Sequence, residues 1–320
     1  MPPRFPVRLF VGLALALPVS GQTAAPAGSP ASAAPTEKTG IKHVPSPTTL
    51  FTRIRGVFDV ELPRLDPPGT FSLHVNPRFG DLLHRTYLRV PVGVTWAVDD
   101  RLGFNVEASA YGTHGLKGGE TNHVYGIGQL HGGAKYLFPH WPRAGYKTSL
   151  GFNLDYPIGS PPADLTDGRN HYIPYAVVER RLPDHPKLTL FGGLSADFVT
   201  DSSVRGRVGA NSPRSDSLSL TAGGIYDLGQ VKWTLESTYT TTALIGHDAR
   251  NIFTVRPSLL WFVPRQITLN SKTQWIVGLG ARATWGPDGF EFSTGTRVRA
   301  EITFRQVWGK IRGAFEAQDR

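Results

Sequence analysis

From about residue 70 to residue 304 the chain alternates apolar and polar positions in segments separated by turn-forming residues. Successive side chains of a strand point to opposite sides, so a period of two gives each segment one apolar and one polar face. In 87–98, for example, Leu88, Val90, Val92, Val94, Trp96 and Val98 share one face, while Tyr87, Arg89, Gly93 and Thr95 share the other. The pattern predicts strands at 70–76, 87–98, 101–111, 126–138, 147–158, 171–180, 187–200, 217–228, 231–244, 252–263, 275–285 and 290–304. Connections after the second, fourth, sixth and eighth strands are short, and those after the first, third, fifth and seventh are long. Two-faced strands with loops that alternate in this way predict an all-β fold, a membrane-spanning antiparallel up-and-down β-barrel of about 12 strands. The rhythm breaks late, where 264–274 is long on the short-turn side and 286–289 is short on the other.

Aromatic placement supports the same reading. Trp96, Tyr136, Phe138, Tyr226, Trp233, Trp261 and Phe304 fall on outward faces near the short-turn ends of their strands, and Tyr156, Phe198, Phe253 and Trp285 near the opposite ends. Amphipathic rings concentrate at headgroup level, so two belts predict contact with outer-membrane lipids. A soluble sandwich or jelly roll would have to hide these rings in a core. Pro91 and Pro257 interrupt the middle of two strands, and since proline cannot donate to the ladder, irregular pairing is expected at both.

The N-terminus carries Arg4 and Arg8, an apolar run over 9–17, and small residues before Gln22. This is the grammar of a secretory signal peptide, 1–21, and the run is too short to cross a bilayer as a helix. Residues 22–47 are rich in Ala, Pro and Ser and read as a disordered linker. Residues 48–69 form a periplasmic lead-in, in which 51–62 is either a short periplasmic strand or a segment folded into the barrel mouth; the barrel follows over 70–304, and 305–320 form a C-terminal tail. Export in an outer-membrane context implies insertion by the barrel assembly machinery; the sequence does not define an oligomeric state.

With no cysteine, disulfides, thiolate metal sites and a lipid-anchored cysteine are excluded. The net charge of +9 is spread singly along the chain, which argues against nucleic acid and for anionic headgroups or anionic solutes. A mean hydropathy of −0.20 argues against helical spans but not against a barrel, whose strands each carry a polar face.

The inward face carries both signs of charge. Arg256, Arg282, Arg297 and Arg299 form a basic stripe on the last three strands, with Glu236 and Glu301 among the inward acids. The stripe is a candidate selectivity ladder for anions; alternatively the charges pair across a narrow lumen and merely fill it. No Gly-x-Ser-x-Gly elbow and no His-Glu-x-x-His pair occurs, so no catalytic, cofactor or metal site is assigned.

Two stretches, 126–138 (GIGQLHGGAKYLF) and 153–159 (NLDYPIG), resemble strands of outer-membrane barrels in the family of phenol meta-cleavage-pathway transporters. In that family a Gly-rich strand ending in Lys-Tyr-x-Phe precedes a strand ending in Pro-x-Gly. The chain departs from the usual barrel ending because Arg305 to Arg320 continues past Phe304. The resemblance implies a passive pore or uptake channel for small solutes, aromatic or hydrophobic compounds among them. The alternatives are a non-conducting structural or adhesion barrel and an outer-membrane hydrolase.

Overall fold

A computed structural model describes residues 61–77, 79, 87–115, 124–138, 145–159, 166–202, 215–245, 249–268 and 273–304. The signal, the linker, 48–60 and the tail lie outside the described residues, as do the long-loop residues 203–214 and the side chain of Phe304.

Twelve strands follow one another: β1 (Thr70–Val75), β2 (Tyr87–Ala97), β3 (Leu102–Thr113), β4 (Tyr125–Phe138), β5 (Tyr146–Pro157), β6 (Arg169–Arg181), β7 (Leu188–Asp201), β8 (Ser217–Asp227), β9 (Val231–Thr241), β10 (Asn251–Phe262), β11 (Thr273–Gly286) and β12 (Gly289–Phe304). Each pairs antiparallel with its sequence neighbours, and β1 with β12, which closes the barrel. Closure gives every strand a neighbour on both sides, although the short β1 meets β12 only over Ala300–Phe304.

Alternation sets the two faces. On β9, Trp233, Leu235 and Tyr239 are exposed on the outside, while Lys232, Thr234, Glu236 and Thr238 are buried inside. Other exposed apolar groups, including Val106, Leu150, Leu194, Leu220, Leu279 and Phe292, share the outward parity. Hydroxyl pairs cross the inner wall between neighbouring strands: Thr221–Thr238 at 3.1 Å, Ser219–Thr240 at 2.8 Å and Thr254–Thr284 at 3.2 Å.

Pairing is irregular where proline predicts it at Pro257. β10 stays in register with β9 throughout, but its pairing with β11 lapses at Arg256 and Pro257. Pro174 interrupts β6 against β7 in the same way. Pro91 behaves differently from expectation, since β2 pairs with β3 straight through it. The Pro91 carbonyl accepts from the Asn76 N–H at 2.8 Å, just past the end of β1. A strand residue points its C=O and N–H to the same neighbour, so the missing donor falls where β1 has already ended. The nearest register shift is one strand further on, between Ser109 and Ala110 against β4.

β9 stops at Thr241, short of the expected residue 244. Thr241 Oγ1 accepts from the Ala243 N–H at 3.1 Å, and Thr242 Oγ1 from the Arg250 N–H at 2.9 Å. Threonine side chains here satisfy the backbone that a longer strand would have used.

Candidate functional site: the lumen and its short-turn mouth

The inner wall of β12 and β1–β6 carries a cross-strand row of acids and histidines. Register pairs Glu301 with His74, His74 with Gly93, Gly93 with Glu107, Glu107 with His131, His131 with Asp155 and Asp155 with His171. Because strands tilt in a barrel, a row of hydrogen-bonded neighbours climbs the wall. It starts near the short-turn end of β12, at Glu301, and reaches the long-loop end of β6, at His171.

The row is built of short polar contacts. His74 Nε2 lies 3.3 Å from Glu107 Oε2, and Gly93 leaves it room, since a Cβ there would stand 2.6 Å from the same ring nitrogen. His131 donates from Nδ1 to Asp155 Oδ1 at 2.5 Å, and Asn105 donates to its Nε2 at 3.2 Å. His171 stands between two carboxylates, with Nε2 2.8 Å from Asp167 Oδ2 and Nδ1 2.9 Å from Asp197 Oδ2.

The basic stripe is placed as follows. Arg299 is 1% exposed and reaches Glu301 Oε2 from Nε at 3.1 Å and Nη2 at 3.0 Å. Arg256 Nη1 lies 3.5 Å from Glu236 Oε1. Arg282 donates from Nε to Thr284 Oγ1 at 3.1 Å, and both Arg282 and Arg297 keep part of their surface accessible. The four arginines face the lumen together, with Arg299 and Arg256 beside the acids named and Arg282 beside Thr284.

Trp96, Tyr136, Phe138, Tyr226, Trp233 and Trp261 stand outward near the short-turn end, and Trp285 outward near the long-loop end, stacked on Phe253 at 5.9 Å. Trp96 packs on Phe104 at 6.2 Å, and Tyr136 on Phe138 at 5.2 Å.

The short-turn mouth is occupied. Residues 61–66, ahead of β1, lie against the inner wall as a strap. Leu62 is fully buried among Phe191, Ile225, Leu260, Phe262 and Ile276, five side chains that point into the barrel. Covering one leucine in this way stabilises the strap by about 1.5–3 kcal/mol. Arg64 Nε reaches both oxygens of Glu179, at 2.9 and 2.7 Å, in a pair that is nearly buried. Lys135 Nζ donates to the Leu62 carbonyl at 3.0 Å and lies 3.4 Å from Glu61 Oε2. Leu65 rests over Gly103, where a Cβ would stand 2.4 Å from its Cδ2. Beside the strap a cavity of about 60 Å³ is lined by Glu61, Arg64, Asp66, His74, Thr95, Asn105 and Glu107, among others, and is large enough for a few waters.

Neither the strap's seat nor the histidine row was singled out in the sequence. Leu259 to Phe262 form an unbroken apolar run, which signals burial on both faces and marks Leu260 and Phe262 as inward apolar groups. Phe191 and Ile225 have no such signal.

Among the described residues no cluster of three or more His, Cys, Asp or Glu side chains is arranged to hold a metal ion.

No protein-family model and no curated relative matches the sequence. Solved structures do resemble it in architecture. The COG4313 outer membrane channel from Pseudomonas putida F1 is 14% identical with a TM-score of 0.48, covering 74% of this chain and 96% of that one. The KdgM porin, in complex with disordered oligogalacturonate, is 12% identical with a TM-score of 0.40, covering 73% and 98%. Pseudomonas aeruginosa OpdK, solved with vanillate, is 12% identical with a TM-score of 0.32, covering 68% and 56%.

Proposed function

We propose that the chain is an outer-membrane β-barrel acting as a passive pore or uptake channel for small solutes, with aromatic or hydrophobic compounds among them. The observation that carries this reading is the opposite character of the two faces of one closed ring. Exposed leucines, valines and aromatic rings cover the outside, and paired acids, arginines, histidines and hydroxyls cover the inside. A soluble sandwich buries its apolar face, whereas this ring turns that face outward, which suits lipid. The short turns then face the periplasm and the long loops the exterior, in line with export through an N-terminal signal. The aromatics near the strand ends serve as membrane-interface groups, and the inward arginines with Glu236 and Glu301 set the charge of the path.

A second reading, a non-conducting envelope barrel, draws on the strap seated at the periplasmic mouth. Planar-bilayer recordings of the purified full chain and of R64A separate the two. The Arg64–Glu179 pair tethers the strap, so a pore gives discrete conductance steps that are larger or more frequent in R64A. Absence of steps from both proteins leaves the structural barrel.

A further inference from the structure

Glu61 and Leu62 lie in the barrel as a small apolar acid would lie there. The Leu62 side chain fills an apolar seat, and the adjoining Glu61 carboxylate is 3.4 Å from Lys135 Nζ and accepts from the Tyr175 hydroxyl at 3.3 Å. Lys135 is 7% exposed, and its partners among the described residues, the Glu61 carboxylate and the Leu62 carbonyl, both belong to the strap. A buried ammonium that loses its anion is strongly destabilised. Whatever takes the place of the strap must therefore bring an anion to Lys135 and apolar surface to the seat.

Glycines fix the shape of this site. Gly151 stands between Lys135 and Tyr175 in one cross-strand row, and a Cβ there would lie 2.2 Å from Tyr175 Cζ. Gly223 likewise admits the Phe191 ring, whose Cζ would lie 2.4 Å from a Cβ at that position. An aromatic ring lies over the glycine in both places, Phe191 beside Leu62 in one apolar cluster and Tyr175 against the Glu61 carboxylate.

We propose, resting on the pore reading above, that this seat is a binding site for small apolar monocarboxylates, and that the strap is its resident competitor. The solute's carboxylate replaces that of Glu61 at Lys135 and Tyr175, its apolar body replaces Leu62, and the displaced strap frees the periplasmic mouth. A neutral ring leaves Lys135 without an anion, and acetate leaves the apolar wall uncovered, so neither competes well.

The chain has no cysteine, so L62C in the full-length protein provides a single thiol, buried while the strap is seated. Its maleimide labelling rate is measured in detergent with benzoate, benzyl alcohol or acetate as probes. Benzoate affinity is measured by equilibrium dialysis on wild type, L62A, K135Q and Y175F, with heat-dependent gel mobility confirming that each barrel is folded. Benzoate is expected to accelerate labelling of L62C while the other two probes do not. Relieving the competitor in L62A is expected to tighten benzoate by about tenfold, and K135Q to weaken it by at least about tenfold. Y175F weakens it less and serves in place of K135Q should that protein not fold. Labelling indifferent to benzoate, or affinity unchanged in both K135Q and Y175F, overturns the proposal. Conductance steps without benzoate binding overturn it and leave the pore reading standing; benzoate binding without conductance supports the site and removes the pore.

Discussion

Arg299 and Glu301 stand two residues apart on β12 and therefore share the inner face, as the alternation of the sequence foretells. What the alternation does not carry is their depth: both are 1% exposed and bound to each other. Removing one partner of such a pair strands the other in a dry environment. R299M is accordingly expected to cost about 3–5 kcal/mol in urea unfolding, and R299M with E301L much less than the sum of the single changes. Additive costs would mean that the two side chains do not act as a pair. The same distinction runs through the candidate site. Parity puts Lys135, Glu107 and Glu236 on the inside, whereas the oppositely charged or histidine groups beside them come from other strands or from the strap, and register across a barrel is invisible along the chain. The inward Leu260 and Phe262 were legible as part of an unbroken apolar run, but the leucine that covers them lies far away in sequence.

At the level of elements, strand positions were readable because each strand is half apolar and ends in residues that turn the chain. All twelve occur, with ends shifted by a few residues where side chains cap the backbone. The β2–β3 turn shows how such an end is held. Asp99 Oδ1 accepts from the backbone N–H groups of Arg101 and Leu102 at 2.7 and 2.6 Å, which holds its carboxyl below the usual carboxylate range. A depressed acid contributes stability above its unfolded value, near 3.9, and loses it as the pH falls through its folded value. D99N should therefore lower the melting temperature slightly at pH 7, and the deficit should shrink as the pH falls through the folded value of Asp99. A deficit that persists undiminished in acid would assign the effect to geometry and not to charge. The prolines teach the complementary lesson. Pro257 breaks a rung because a partner strand lies on its donor side, while Pro91 breaks none because β1 has ended there. Which neighbour a donor faces depends on strand length elsewhere in the barrel, and the sequence around Pro91 does not contain it.

For the whole molecule, the outward surface and the lumen make separate demands that can be tested separately. Leu279 is 53% exposed at the middle of β11, and Phe290 lies outward beside the β11–β12 turn. In a lipid-embedded barrel, L279R is expected to cost about 2–4 kcal/mol and F290R only about 0–1, because the penalty for a charge falls from midplane to interface. Equal small costs in lipid refolding titrations would remove the membrane from the account. The lumen has two unlike halves. β12 and β1–β6 carry the climbing row of carboxylates and histidines, and β8–β11 present hydroxyl pairs together with Arg256 and Arg282. Both signs of charge occur in each half, since β12 also carries Arg297 and Arg299 and β9 carries Glu236, so preference depends on which charges a passing ion can reach. Arg299 is buried against Glu301, whereas Arg256, Arg282 and Arg297 all retain accessible surface. In the proposed pore, selectivity should therefore follow these three more than Arg299. Under a salt gradient, R282E with R297E is expected to move the reversal potential towards cation preference. A reversal potential unmoved by the double exchange would take the arginines out of selectivity and leave the acid–histidine wall as its source.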